Sequence, residues 1–176
     1  MKKISTKMLT LCGLFAAMTA VFSQIAFDIG PIPINLAMLS VFIAGGLLGA
    51  KYGMISQIVY VLLGAIGAPV FSHFSGGFGI VIGPTGGYII GYIASAFITG
   101  FLAKKIKAPK SIGLIISMII GLIVCYAFGT AWYMFITKND LLYALTWCVF
   151  PFLIGDALKI IVATLVVAPL KKHIKI

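Results

Sequence analysis

The chain contains no arginine and no glutamate, and its acidic residues are three aspartates, Asp28, Asp140 and Asp156. Charged residues make up 9% of the sequence and hydrophobic residues 62%, whereas soluble domains average about 25% charged. Too little charge is present to clothe an ordinary soluble surface. Histidine is confined to His73 and His173, and Cys12, Cys125 and Cys148 stand singly in apolar sequence. Without metal-ligand spacing, these cysteines read as small buried hydrophobes and a metal site is not expected. An intramembrane enzyme would need a nucleophile–base pair or metal ligands, and neither is evident. The chain also lacks a relay of acids to collect a proton, and no A-x-A-like cleavage site follows the first apolar run, so no cleavable signal peptide is expected.

What is present is apolar sequence in long uncharged windows, the signature of membrane-spanning helices. The windows predict one polytopic domain over 1–176, an all-α integral membrane protein with six spans near 8–27, 35–50, 53–67, 86–103, 111–136 and 148–170. The second and third are short for a hydrocarbon core of about 30 Å. Asp28-Ile-Gly-Pro-Ile-Pro-Ile34 carries two prolines that oppose a continuous helix, and Lys104-Lys-Ile-Lys-Ala-Pro-Lys110 and Thr137-Lys-Asn-Asp140 are hydrophilic breaks. All thirteen basic residues are lysine. With the N-terminus in the cytoplasm, eleven fall inside (Lys2, Lys3, Lys7, Lys51, Lys104, Lys105, Lys107, Lys110, Lys171, Lys172 and Lys175), leaving Lys138 outside and Lys159 within a span. The positive-inside rule thus predicts both termini in the cytoplasm.

The stretch Phe74-Ser-Gly-Gly-Phe-Gly-Ile-Val-Ile-Gly-Pro-Thr-Gly-Gly-Tyr88 is glycine-rich and uncharged. It is not a phosphate loop, because no lysine follows its glycines and none occurs between Lys51 and Lys104. Two readings remain. Glycine permits the tight turns of a re-entrant connector, and it equally permits a cap over a ligand pocket, where non-helical backbone at membrane depth lines a cavity. The cap reading makes Phe78, Thr85, Gly86, Gly87 and Tyr88 candidate ligand contacts.

Asp156 and Lys159 form the embedded acid–base pair of the last span. At i,i+3 they share a helix face, and each costs roughly 2.5–3.5 kcal/mol at mid-membrane unless it faces a partner or cavity. They either neutralise one another or form the polar end of a pocket, a carboxylate accepting and an ammonium donating. Tyr60, Tyr88 and Tyr92 are candidate aromatic walls with polar tips, although tyrosines near a membrane boundary also serve as interfacial anchors. In the first span, Gly13/Ala17 and Ala16/Ala20 are small-xxx-small pairs, suited either to packing within the chain or to docking another membrane subunit. Active transport would need an outside motor.

Four segments together carry a specific resemblance: Pro31-Ile-Pro-Ile34, Tyr60-Val-Leu-Leu-Gly-Ala-Ile-Gly-Ala-Pro-Val-Phe71, Gly83-Pro-Thr-Gly-Gly-Tyr88 and Gly155-Asp-Ala-Leu-Lys159. They resemble the BioY family, the biotin-binding S components of energy-coupling factor (ECF) transporters, from the first span to the last. The resemblance implies a six-helix S-component fold in a prokaryotic plasma membrane, with biotin held near the extracellular side beneath the loop between spans three and four. It implies as partners a membrane-embedded coupling subunit and two ABC-type ATPases that supply the hydrolysis. It also implies ligand contacts from Asp156 and Lys159, and a docking face matched by Ala16 and Ala20. Asn35-Leu-Ala37 departs from the threonine and glutamine expected around that leucine, making Asn35 the candidate polar contact there. No arginine is available for the biotin carboxylate. Biotin enters as transported ligand, and no cofactor is expected. A carrier subunit for another small vitamin and a purely structural helical subunit are the alternatives.

Overall fold

The computed structural model describes residues 6–173; Lys2, Lys3 and Lys175, assigned above to the cytoplasmic side, lie outside the described residues. Helix α1 (Thr6–Gln24) runs into a short antiparallel ribbon, β1 (Ala26–Phe27) and β2 (Ile34–Asn35), which pairs Ala26 with Asn35 and Phe27 with Ile34. Pro31 and Pro33 sit in its connecting turn, where a missing N–H breaks no helix ladder. Helix α2 (Ala37–Ala65) follows, then a 3-10 turn (Ser72–Phe74), the five-residue α3 (Phe78–Ile82), α4 (Gly86–Lys105), α5 (Lys110–Thr137), the short α6 (Leu141–Cys148) and α7 (Phe150–His173).

Helix α2 is a hairpin. At Gly49 the backbone adopts φ 77° and ψ 179°, a conformation open chiefly to glycine. A Cβ placed on Gly53 would lie 2.9 Å from the Cα of Gly45, although eight residues of straight helix span about 12 Å. The arms before and after Gly49 therefore run back along one another. Thr19 of α1 touches both, at 2.9 Å from the Ser40 hydroxyl and 3.3 Å from the Gln57 side-chain amide. The sequence-predicted spans 35–50 and 53–67 coincide with these two arms.

Among the described residues, five helices are long and apolar enough to cross a membrane: Thr6–Gln24, Ala37–Ala65, Gly86–Lys105, Lys110–Thr137 and Phe150–Lys171. The second of these is two helical arms meeting at the non-helical Gly49, which is why five stretches stand where six were expected. The ribbon, α3 and α6 are additions to the sequence reading. Asp140, expected only as part of a hydrophilic break, starts α6 by accepting the Tyr143 N–H at 3.0 Å, which satisfies a first-turn donor that has no partner within the helix.

Helix α4 packs between the α2 hairpin and α5 at distances that only small residues allow. A Cβ on Gly45 would come 2.6 Å from the carbonyl oxygen of Ala96, and one on Gly100 would overlap the backbone nitrogen of Ala50. On the opposite face, Cβ atoms on Gly121 and Gly129 would overlap Thr99 and the ring of Tyr88. In lipid, where hydrocarbon tails are as apolar as leucine, such backbone proximity is a main source of helix association. Large apolar side chains such as Ile123, Ile154 and Leu165 point outward, as a lipid-facing surface requires.

These contacts predict opposite outcomes for two glycine-to-alanine changes. Gly100→Ala should destabilise the protein by about 1–3 kcal/mol through overpacking against the hairpin turn. Gly13→Ala, where an added Cβ meets nothing within 4 Å, should be neutral or stabilising by up to about 1 kcal/mol through helix propensity. Unfolding of the two variants in detergent, followed by circular dichroism, measures both.

Candidate ligand-binding site

The segment between α2 and α4 leaves the hairpin at Ile66 and folds over one end of the helices. Ser23 and Gln24, at the end of α1, hold it down: the Ser23 hydroxyl donates to the Val70 carbonyl, Gln24 Nε2 donates to the Phe71 carbonyl at 3.1 Å, and Gln24 Oε1 accepts the Phe74 N–H at 2.8 Å. From the ribbon, Asn35 Nδ2 donates to the Ser72 hydroxyl at 2.8 Å. A connector that crossed an open end would need none of these ties. The geometry is that of a roof.

Beneath it lies a chamber of about 170 Å³. Tyr60, Phe71, Tyr88 and Tyr92 form aromatic walls, and Ser72, His73 and Thr85 stand at its rim. The Tyr60 ring meets Phe71 edge-on, with centroids 5.5 Å apart, and lies 6.4 Å from Tyr92. A second, smaller chamber of about 40 Å³ adjoins the first, sharing Ile32, Pro33, Asn35, Tyr88 and Tyr92, and reaches Tyr126, Phe152, Asp156 and Lys159. The site is thus aromatic in its upper part and charged at its floor.

The floor pair is buried, with Asp156 2% and Lys159 6% exposed. Lys159 Nζ donates to Asp156 Oδ1 at 2.7 Å, and the Tyr126 hydroxyl donates to the other carboxylate oxygen, Oδ2. One turn of helix α7 brings acid and base onto the same face, while α5 supplies the tyrosine. Valence remains after these bonds. A carboxylate has about four lone-pair sites and an ammonium three donors, so both groups retain capacity for an incoming polar ligand. Burial of such a pair is tolerable only when these partners are present.

Of the residues expected to contact ligand, Asp156, Lys159, Tyr60, Tyr88, Thr85 and Asn35 line one or both chambers. Tyr88 is fixed by its hydroxyl, 3.2 Å from Thr130 Oγ1 and donating to the Cys148 carbonyl at 3.2 Å. Three expected contacts lie elsewhere. Gly86 and Gly87 form the buried first turn of α4, where added Cβ atoms would overlap the Val81 carbonyl and the Trp132 side chain; their smallness serves packing. Phe78 is 64% exposed and lines neither chamber.

The four small residues of α1 divide in the same way. Ala16 is 1% exposed and Ala20 is partly buried, so Ala16 is not available to a second subunit, contrary to expectation. Its pair faces the chain's own core. Gly13 and Ala17 face outward, beside the exposed Leu14 and Val21. The residues that sequence reasoning missed are Tyr126, Ser72 and His73. Tyr126 lies thirty residues from Asp156 inside an apolar window, and nothing local marks it. His73 could have been found as the histidine flanking the glycine-rich stretch.

Cys148 is fully buried, and a structural thiol buried in this way is inert. Among the described residues no group of three or more His, Cys, Asp or Glu side chains is placed to hold a metal ion. The site offers hydrogen bonds, a buried ion pair and aromatic surface. Such an arrangement binds a small molecule with an apolar body and a polar end.

Comparison with known proteins agrees with this character. The model of the BioY family matches residues 1–176. A biotin transporter BioY from Thermotoga maritima is 38% identical over 166 residues, covering 94% of this chain and 96% of that protein. A probable biotin transporter BioY from Pyrococcus horikoshii is 38% identical over 164 residues, covering 93% and 95% respectively. A crystal structure of the S-component for biotin from an ECF-type ABC transporter superposes with a TM-score of 0.87 at 32% identity, over 96% of this chain and 95% of that one. With the family model matched from end to end and similar chains covered almost completely, this chain belongs to the BioY family.

Proposed function

We propose that this chain is the membrane-embedded subunit that captures biotin and delivers it to an ATP-driven ECF transporter. The observation that carries this reading is the roofed aromatic chamber ending at the buried Asp156–Lys159 pair. Biotin presents two ureido N–H donors, a ureido carbonyl, an apolar thiophane ring and a carboxylate tail. Asp156 accepts from the ureido N–H, Lys159 donates to its carbonyl, and Tyr60, Tyr88 and Tyr92 enclose the ring. A buried polar floor rejects ligands lacking those partners far more strongly than an apolar wall could. A binding subunit, and not an enzyme, accounts for this set of side chains. Its hydrolytic motor would be two ABC-type ATPases joined through a membrane-embedded coupling subunit.

The orientation belongs to the same proposal: six crossings of a prokaryotic plasma membrane, the α2 hairpin counting as two, with both termini cytoplasmic. In support, Lys51, Lys104, Lys105 and Lys171 line one cleft. Asp28 and His73 meet each other in the roof region, at 3.2 Å. A hairpin whose tip sits beside Lys51 returns the chain to the side from which it came.

Three measurements test these statements. Calorimetry with biotin should show that Asp156→Asn and Lys159→Met each lose a charge-assisted contact of about 1.5–3 kcal/mol, roughly ten- to hundredfold in affinity. The double variant should bind no better than the weaker single one; near-wild-type affinity there would leave the pair a purely structural role. In a cysteine-free background, Lys138→Cys should react with an impermeant thiol reagent added outside intact cells and Lys107→Cys should not, the reverse pattern inverting the topology. Finally, leucine at both Gly13 and Ala17 should abolish co-purification with the coupling subunit while biotin binding survives, because bulk there denies close backbone approach. Unchanged co-purification would move the docking face off this side of α1.

A further inference from the structure

A carboxylate of the ligand needs a donor, and this chain has no arginine to provide one. Among the described residues, two groups that can carry positive charge line the chambers, Lys159 at the floor and His73 at the rim. Lys159 is engaged by Asp156 at 2.7 Å. With the ureido ring on that floor, the aliphatic tail of biotin extends towards the roof. The rim is the place where its carboxylate meets His73.

His73 is held there against its backbone preference. Its φ of 59° and ψ of 36° lie in the left-handed region, where side-chain-bearing residues are uncommon, and Phe74 follows at φ 53°. The bonds from Gln24 and Asn35 to residues on either side fix the turn and thereby the imidazole. Strain that is over-determined by its surroundings and sits beside a cavity points to a role for the strained residue. In this structure the imidazole has an anion against it, since His73 Nε2 lies 3.2 Å from Asp28 Oδ2. Both side chains are more than half exposed, at 52% and 66%, so Asp28 can exchange this contact for water at little cost.

We infer that His73 is the carboxylate receptor of the site, and that Asp28 occupies it in the unliganded protein and is displaced by the carboxylate of the ligand. The inference rests on the biotin reading above and deepens it. Recognition then has two ends with different tasks. The floor selects the ureido ring, and the rim selects a free acid over its esters and amides, with Asp28 as the competitor that an uncharged tail cannot replace.

The test compares biotin with biotin methyl ester by calorimetry on the full chain in detergent. Wild type should prefer the acid. His73→Gly suits the left-handed turn and so preserves the fold; it should weaken biotin about tenfold, the loss of one charge-assisted hydrogen bond, and leave the ester unchanged. Asp28→Asn removes the competing charge and should tighten biotin while leaving the ester unchanged. Equal weakening of acid and ester by His73→Gly, or of neither, overturns the inference while biotin capture stands. So does a wild type indifferent to esterification. If wild type binds neither ligand, the biotin reading itself fails, and this inference with it.

Discussion

The backbone contact between helix α4 and the α2 hairpin is the constraint on which the site depends. Gly45 and Ala96 approach so closely that a single methyl group on the glycine would touch the opposite carbonyl, and Gly100 lies on the hairpin turn at Gly49 and Ala50. This proximity sets the depth and rotation of α4. Tyr88 and Tyr92, near its start, are thereby placed across from Tyr60 on the second arm of the hairpin. Half a turn of rotation error would aim those hydroxyls away from the chamber. Glycine on the other side of α4, at Gly121 and Gly129, brings α5 equally close and delivers Tyr126 to the floor. The aromatic chamber is therefore a product of small residues elsewhere.

The charged floor follows a different physical rule. Asp156 and Lys159 would each be costly in hydrocarbon alone, and what makes them tolerable is that every obvious alternative to water has been supplied. The carboxylate has one oxygen on the ammonium and one on the Tyr126 hydroxyl. A ligand that enters joins this network through the lone pairs and N–H donors that those two bonds leave free, which favours a rigid molecule bearing donors and an acceptor in fixed relation. Flexible or purely apolar molecules gain nothing there. Selectivity thus comes from the capacity that the unliganded network keeps open, since a ligand that cannot use it covers buried polar groups without compensation.

The parts of this architecture that were legible in the sequence are those with a strong local signal. Hydrocarbon thickness sets the length of an apolar window, so the long helices could be read directly, and the two short windows at 35–50 and 53–67 marked the arms of the hairpin. Asp156 and Lys159 stood out because charge inside an apolar window is rare. The rest depends on contacts between distant residues. Nothing near Tyr126 says that it will meet Asp156. Gly86 and Gly87 sit in a glycine-rich motif whose composition fits ligand approach and helix packing equally, and only their distances to Val81 and Trp132 decide for packing. Ala16 and Gly13 are equally small, and the rotation of α1 about its axis determines which of them is buried. Helix α6 and the ribbon escaped because short elements have too few residues for any periodicity to register.

Roof and floor differ in how tightly the protein holds them, and that difference fits a carrier that must also release. Floor residues stand on α5 and α7, buried, with partners fixed by helix geometry. Roof residues are tied by a handful of hydrogen bonds, most of them part-buried and one exposed, and by one solvent-facing ion pair. Exposed bonds exchange with water at small net cost, whereas the buried network cannot be opened without stranding a charge. Local opening free energies vary across a fold in this way, lowest where few apolar contacts back the hydrogen bonds. The lighter backing of the site therefore lies along the 66–85 segment, while the floor that meets the ureido ring is the more deeply anchored part.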